Sequence, residues 1–232
     1  MAAVNSAKAR KTEIDALTVK GYAADEGAVA AGIACAADLR SAPDGFRPSE
    51  ILDGCLSVIV LGVPFPPDAL TGTSSSYTEV RNALSVKMTD IAKRVAARIK
   101  KDGHKAVAVS SIGGRYIDGV HFGPISLKHA AVSAGLGIIT KNYLLTSPLY
   151  GNRLWLSAVL TDAYLVPDEK AGYELCAGCN RCIDSCPSGA LNDPASFGKK
   201  ECAGTSFEMI DKKWEIVCFR CRSVCPHCFG EL

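Results

Sequence analysis

Cys176-Ala-Gly-Cys179-Asn-Arg-Cys182-Ile-Asp-Ser-Cys186-Pro187 is the stretch on which the reading of this chain turns. Three cysteines spaced by two residues wrap three corners of one 4Fe–4S cube. A fourth, placed just before proline, points away and reaches a second cube. The complement stands further along: Cys218-x2-Cys221-x3-Cys225-Pro226, with Cys202 sixteen residues ahead of it. The spacing predicts one cluster on Cys176, Cys179, Cys182 and Cys225. It predicts a second on Cys186, Cys202, Cys218 and Cys221, and leaves Cys228 over. Structural zinc knuckles also use Cys-x2-Cys, but zinc has no need of the Cys-Pro ending twice. Two neighbouring cubes make a short wire for single electrons, and a bare wire does not need 170 further residues.

Outward from this run, cysteine usage sets the compartment. Nine of the 11 cysteines fall in the last 57 residues. The opening residues, MAAVNSAKARKTEID, lack the apolar core of a secretory signal. Thiols this dense without export read as metal ligands in a reducing cytoplasm, not as a disulfide framework. Hydrophobic residues are 48% and charged residues 22% of the 232, as in ordinary globular chains. No apolar run approaches the roughly 18 residues of a membrane span. Net charge is +2, and residues 176–232 carry 7 basic and 7 acidic side chains. A phosphate-neutralising groove is therefore not advertised.

Residues 1–170 read as a mixed α/β (α+β) layer and residues 171–232 as the cluster module. Val29–Ala34, Ser57–Val63, Lys105–Ser110 and Leu154–Thr161 are short apolar runs with the pattern of buried strands. Val80, Leu84, Met88, Ile91, Val95 and Ile99 recur every three or four residues, the stripe of a long helix. Lys87, Lys93, Arg94, Arg98 and Lys101 make its solvated face, and Gly103 ends it. Ser126–Ala134 reads as a short helix, and the stretch from Pro167 to Gly172 as a linker. Gly135-Leu-Gly137-Ile-Ile-Thr140 is not a dinucleotide fingerprint, because its sixth position is Thr.

Three segments carry a resemblance. Gly45-Phe-Arg47-Pro48 through Gly62-Val-Pro64, His129-Ala-Ala through Lys141-Asn142-Tyr-Leu-Leu145, and Arg153-Leu-Trp-Leu156 through Asp162 resemble the epoxyqueuosine reductase family. Reductive dehalogenases share the order of parts. The resemblance implies a nitroreductase-like layer that binds cobalamin, followed by a two-cluster ferredoxin-like module that feeds it electrons. It implies a reductase of a small or nucleoside-like substrate, served by an external low-potential donor. Lys141, Asn142, Leu145 and Leu156 would contact the corrinoid. A layer of this type also carries flavin. The rival reading is an electron-transfer or reactivation partner for a corrinoid or flavin held by another protein.

Two departures matter. The family's Asp-Ser-Ala-Pro element is replaced by His121-Phe-Gly-Pro124, so the proton-donor position falls on His121, which could equally sit beside cobalt. Tyr116, after the Gly113-Gly114 turn, is a second candidate for proton transfer. The family's helical-repeat region does not follow the clusters, and the charge is balanced, so the sequence argues against tRNA as a partner. His104 and His129 read as structural, and Cys35 and Cys55 as buried free thiols.

Overall fold

A computed structural model describes residues 13–193 and 196–230. The opening segment read for a secretory signal lies almost wholly outside the described residues. The elements are α1 (Ala16–Asp25), β1 (Ala30–Cys35), α2 (Pro48–Ile51), β2 (Ser57–Pro64), α3 (Ser74–Lys101), β3 (Ala106–Val109), β4 (Arg115–Ile117), β5 (Val120–Phe122), α4 (Leu127–Ser133), β6 (Ile138–Ile139), β7 (Leu145–Thr146) and β8 (Leu154–Thr161). The cluster module adds α5 (Arg181–Asp184), α6 (Lys199–Ser206), β9 (Phe207–Ile210), β10 (Lys213–Ile216) and α7 (Arg220–Ser223).

The four strands expected from apolar runs form one sheet in the order β1-β2-β8-β3, antiparallel throughout. The period-two alternation of β2 explains why both its faces are covered. Ile59, Leu61 and Val63 face one core with Met88, Ile91, Val95 and Ile99 of α3. Val58 and Val60 face another with Ala130 and Ala131 of α4. The result is a helix–sheet–helix sandwich of the α+β kind. The stripe of α3 is the one the spacing predicts, and Gly103 follows its end at φ +89°. Arg94 and Arg98 on the charged face of α3 are paired to Glu26 and Asp25 at the end of α1, each at 2.7 Å.

The stretch from Pro167 to Gly172 is not slack. Asp168 pairs backbone to backbone with Ile33 on the free edge of β1 (2.9 Å). Its carboxylate accepts from Ile33 N–H (2.8 Å) and from Lys20 Nζ (2.5 Å). The connection thus covers an edge strand, which would otherwise offer unpaired groups to another chain.

The cysteine-rich part shares a core with the sheet layer. Phe65, Leu70 and Tyr77 pack with Cys228, and Ile216 and Phe219 lie against them. Ile216 N–H donates to Thr78 Oγ1 at 2.8 Å, tying β10 to α3. Gly151, at φ +56°, is needed here: a Cβ would stand 2.1 Å from the Cys228 carbonyl oxygen. Among the described residues no helix is long and apolar enough to cross a membrane.

Candidate functional site

The short helices α5 and α7 are the same device used twice. Each begins Arg-Cys, and each closes with the N–H of its final cysteine donating three residues back. Cys186 N–H donates to Ile183 O at 3.0 Å, and Cys225 N–H to Arg222 O at 3.3 Å. The Cys176 turn needs left-handed backbone, with φ +71° at Cys176 and +68° at Gly178. These local bends aim the thiols inward. Cys176, Cys179, Cys182 and Cys225 line one small pocket of about 10 Å³, with Thr140, Asn142 and His227 also in its wall. Three of these thiols come from one run and the fourth from the other, forty-three residues past Cys182.

Burial pushes the Cys221 thiol up to about 11; Arg222 opposes this, and the thiols of Cys202, Cys218 and Cys182 add to the rise. Cys186 behaves differently. Its burial acts upward, but hydrogen bonding from Ser188 (Sγ···Oγ 3.4 Å) and nearby backbone N–H groups outweighs it and lowers its pKa. Burial likewise raises Cys182 and Cys225, with Cys176 as a charged neighbour of both. Among the described residues no three His, Cys, Asp or Glu side chains close on a single ion. Four soft donors spread around one cavity suit a cube of four irons, whose binding takes up the thiolates.

Cys228, the ninth thiol, is 1% exposed and sits in the shared core with its Sγ 3.5 Å from Asn152 Oδ1. It belongs to the packing.

Lys141 and Asn142 meet the cluster module. Lys141 Nζ donates to the Cys179 carbonyl (3.0 Å) and to Asn180 Oδ1 (2.9 Å). Asn142 Nδ2 donates to the Cys221 carbonyl (3.0 Å), while its Oδ1 accepts from Thr140 Oγ1 and Leu144 N–H. Their polar groups are engaged with the loops that carry the thiols. Leu145 and Leu156 are buried in the core on the α4 side of the sheet. Asn142, Leu145 and Leu156 are thus buried, and Lys141 is exposed but tied to the Cys179 loop.

His121 and Tyr116 do come together. They are opposite residues in the β4–β5 hairpin, rings edge to face at 5.3 Å. Gly114, at φ +148°, permits the hairpin, since a Cβ would stand 1.9 Å from the Phe122 carbonyl oxygen. His121 is half-buried, and burial lowers its pKa from 6.5, with Lys199 and then Arg81 pushing the same way. A neutral imidazole beside a phenol can accept a proton from one side while the phenol offers one on the other. Sequence reasoning missed Arg81 and Lys199. Arg81 flanks Val80 of the apolar stripe, which is the one sign that it is drawn inward. His104 and His129 are engaged locally, His104 Nδ1 lying 3.5 Å from Asp162 and His129 Nδ1 2.6 Å from Ser126 Oγ.

No family model matches the chain. Its curated relatives include the epoxyqueuosine reductase of Gloeobacter violaceus, 28% identical over 200 residues, 76% of this chain and 58% of the relative. They also include the tetrachloroethene reductive dehalogenase of Desulfitobacterium hafniense, 28% identical over 185 residues, 77% of this chain and 30% of the relative. The chain thus spans less than two thirds of either relative. Among solved structures, an epoxyqueuosine reductase with a tRNA-Tyr epoxyqueuosine-modified stem loop aligns at TM-score 0.64 and 20% identity, over 90% of this chain and 64% of that one. A reductive dehalogenase described in terms of B12-dependent dehalogenation aligns at TM-score 0.63 and 20% identity, over 90% of this chain and 31% of that one. The fold is theirs, and the resemblance read from the sequence stands. The expectation against tRNA is corrected by the same findings. A protein of this fold holds a tRNA stem loop, and balanced charge over the chain as a whole did not describe local fields such as that around Arg81.

Proposed function

We propose that the chain is an iron–sulfur oxidoreductase of the epoxyqueuosine reductase kind, with two 4Fe–4S clusters and a cobalamin acting on a nucleoside-like or small substrate. The clusters would supply single electrons from an external low-potential donor, and the cobalamin a reduced cobalt centre. A substrate carried on tRNA is within this reading. Residues 1–170 form the reaction layer in it, and residues 171–232 the electron-supplying module.

The observation that carries it is the meeting of Cys176, Cys179 and Cys182 with Cys225 around one cavity. Cys186, Cys202, Cys218 and Cys221 are the ligands of the second cluster. Lys141 and Asn142 hold the thiol-bearing loops against the layer. His121 supplies the proton: its imidazole is kept neutral at rest, so it must first be charged from solvent. Tyr116 is 75% exposed and can exchange protons with water directly.

The engaged state of Lys141, Asn142, Leu145 and Leu156 favours a second reading. In it the corrinoid, or a flavin, is held by a partner protein and this chain only delivers electrons. Anaerobic reconstitution with iron, sulfide and cobalamin separates the two. The first reading expects about eight irons per chain with cobalamin bands that stay with the protein on gel filtration. Eight irons without retained cobalamin supports the second. Zinc in place of iron refutes both.

A further inference from the structure

We infer that Arg81 of α3 and Lys199 of α6, together with the β4–β5 hairpin, form a subsite for a phosphodiester group beside His121 and Tyr116. The inference rests on the proposed function only for what that group belongs to.

Arg81 is drawn in from solvent, and its Nε is buried with no hydrogen-bond partner. Its guanidinium carbon lies 5.8 Å from the Trp155 ring centroid, and Nη1 donates to Asn82 Oδ1 at 2.9 Å. Lys199 places Nζ 3.7 Å from the Phe122 ring centroid. Among the described residues no carboxylate lies within ion-pair distance of either cation. The fields of both cations fall on the His121 imidazole, and the groups acting on Arg81 besides its burial are the phenols of Tyr77 and Tyr116, not carboxylates.

The contrast lies within one helix. Arg94 and Arg98, further along α3, are matched by Glu26 and Asp25. A desolvated cation left unmatched costs stability, and two of them at one corner need a reason. The neighbouring cations are matched differently: the charge of Arg115, which also donates to Gly45 O at 3.0 Å, falls on the Glu50 carboxylate, and Lys128 donates to Tyr143 O.

The donors come from three elements: a guanidinium, an ammonium, and the phenol and imidazole of the hairpin. A planar carboxylate is served by one arginine fork. A tetrahedral phosphate, with oxygens on several sides, suits donors arriving from different directions. The exposed Tyr116 leaves the corner open, as a group that is part of a larger molecule requires. Two molecules present that chemistry: a nucleotide chain, and the nucleotide tail of a cobalamin.

Equilibrium dialysis of the cluster-loaded full chain tests it with four probes. Uridylyl-uridine is compared with uridine, and cobalamin with cobinamide, which has the ring without the phosphodiester tail. Arg81→Gln and Lys199→Gln should each weaken a phosphodiester-bearing probe about tenfold, the scale of a lost charge-assisted hydrogen bond. Each should also flatten its salt dependence, and leave uridine and cobinamide unchanged. A response of uridylyl-uridine alone assigns the subsite to a nucleotide chain, and one of cobalamin alone to the cofactor tail. Equal losses for probes with and without phosphate overturn the inference. So does indifference of both phosphodiester probes to both substitutions, or their failure to bind. Metal content is read on the same samples: zinc in place of iron would sink the proposed function, while losses confined to the phosphodiester probes would still uphold the subsite.

Discussion

The rings of Tyr77 and Phe219 lie stacked with parallel planes, their centroids 4.1 Å apart. Tyr77 stands in the first turn of the long helix, and Phe219 follows Cys218 directly. One aromatic contact thus clamps a cluster-bearing loop onto the sheet layer. Tyr77 in turn stacks on Phe65, buried under β2. Phe219→Ala is expected to lower stability by about 2 kcal/mol, less than a fully buried ring because Phe219 is partly open. Thermal unfolding of the reconstituted protein measures this. Iron should also be lost faster to a chelator, since the Cys218–Cys221 loop loses its anchor.

Lys141 and Asn142 separate by burial. Asn142 is 4% exposed and serves three partners at once. Asn142→Ala leaves the Cys221 carbonyl and the Leu144 N–H without it, at a cost of about 2 kcal/mol. The exposed Lys141 side chain makes its contacts in water, so Lys141→Ala should cost less than about 1 kcal/mol. Urea titration of the two variants side by side orders them; equal costs would contradict the burial argument.

The sheet was legible because β2 and β8 are apolar on both faces, and the long helix because its stripe repeats without a break. The meeting of Cys176, Cys179 and Cys182 with Cys225 was legible because a cube fixes the spacing of its ligands. The β4–β5 and β9–β10 hairpins were not, since Arg115, Tyr116 and Ile117 all face water and carry no buried alternation. The His121 position emerged only from resemblance. Its neighbours Arg81 and Lys199 stand 40 and 78 residues from it, and only the fold brings them together.

The pH behaviour of His121 follows from its surroundings. Burial, Lys199 and Arg81 all hold its folded pKa below 6.5. The unfolded chain therefore takes the proton first as pH falls. Stability contributed by neutral His121 is present above the unfolded value and is lost as pH drops through it towards the folded value. Proton NMR of the four histidines should show two titrating below the ordinary range, His121 and His129, of which one disappears in His121→Gln. Lys199→Gln should move that midpoint upward; an unmoved midpoint would separate Lys199 from the site.

Gly114→Ala attacks the hairpin without touching a reactive group. The added Cβ would meet the Phe122 carbonyl, and a side chain at φ +148° is itself strained. The expected cost is about 1–3 kcal/mol, with the depressed histidine midpoint returning towards 6.5 as His121 leaves its cations. Iron content should not change, because the hairpin carries no thiol.

Cys186 and Cys228 test the division of the nine clustered thiols. Sequence spacing makes Cys186 a ligand and leaves Cys228 over, and the surroundings of the two thiols differ in the same sense. Cys186 has a lowered pKa and hydrogen bonds that favour its thiolate, the form that binds iron. Cys228 is 1% exposed, packed among Phe65, Leu70 and Tyr77, and does not line the pocket of Cys176, Cys179, Cys182 and Cys225. Cys186→Ser should drop iron from about eight towards four per chain, as one cube is lost. Cys228→Ala should leave iron at about eight and lower the unfolding midpoint, with a cost of about 1 kcal/mol for a small buried group removed. Iron loss in Cys228→Ala as large as in Cys186→Ser would make Cys228 a ligand and displace one of the eight assigned here.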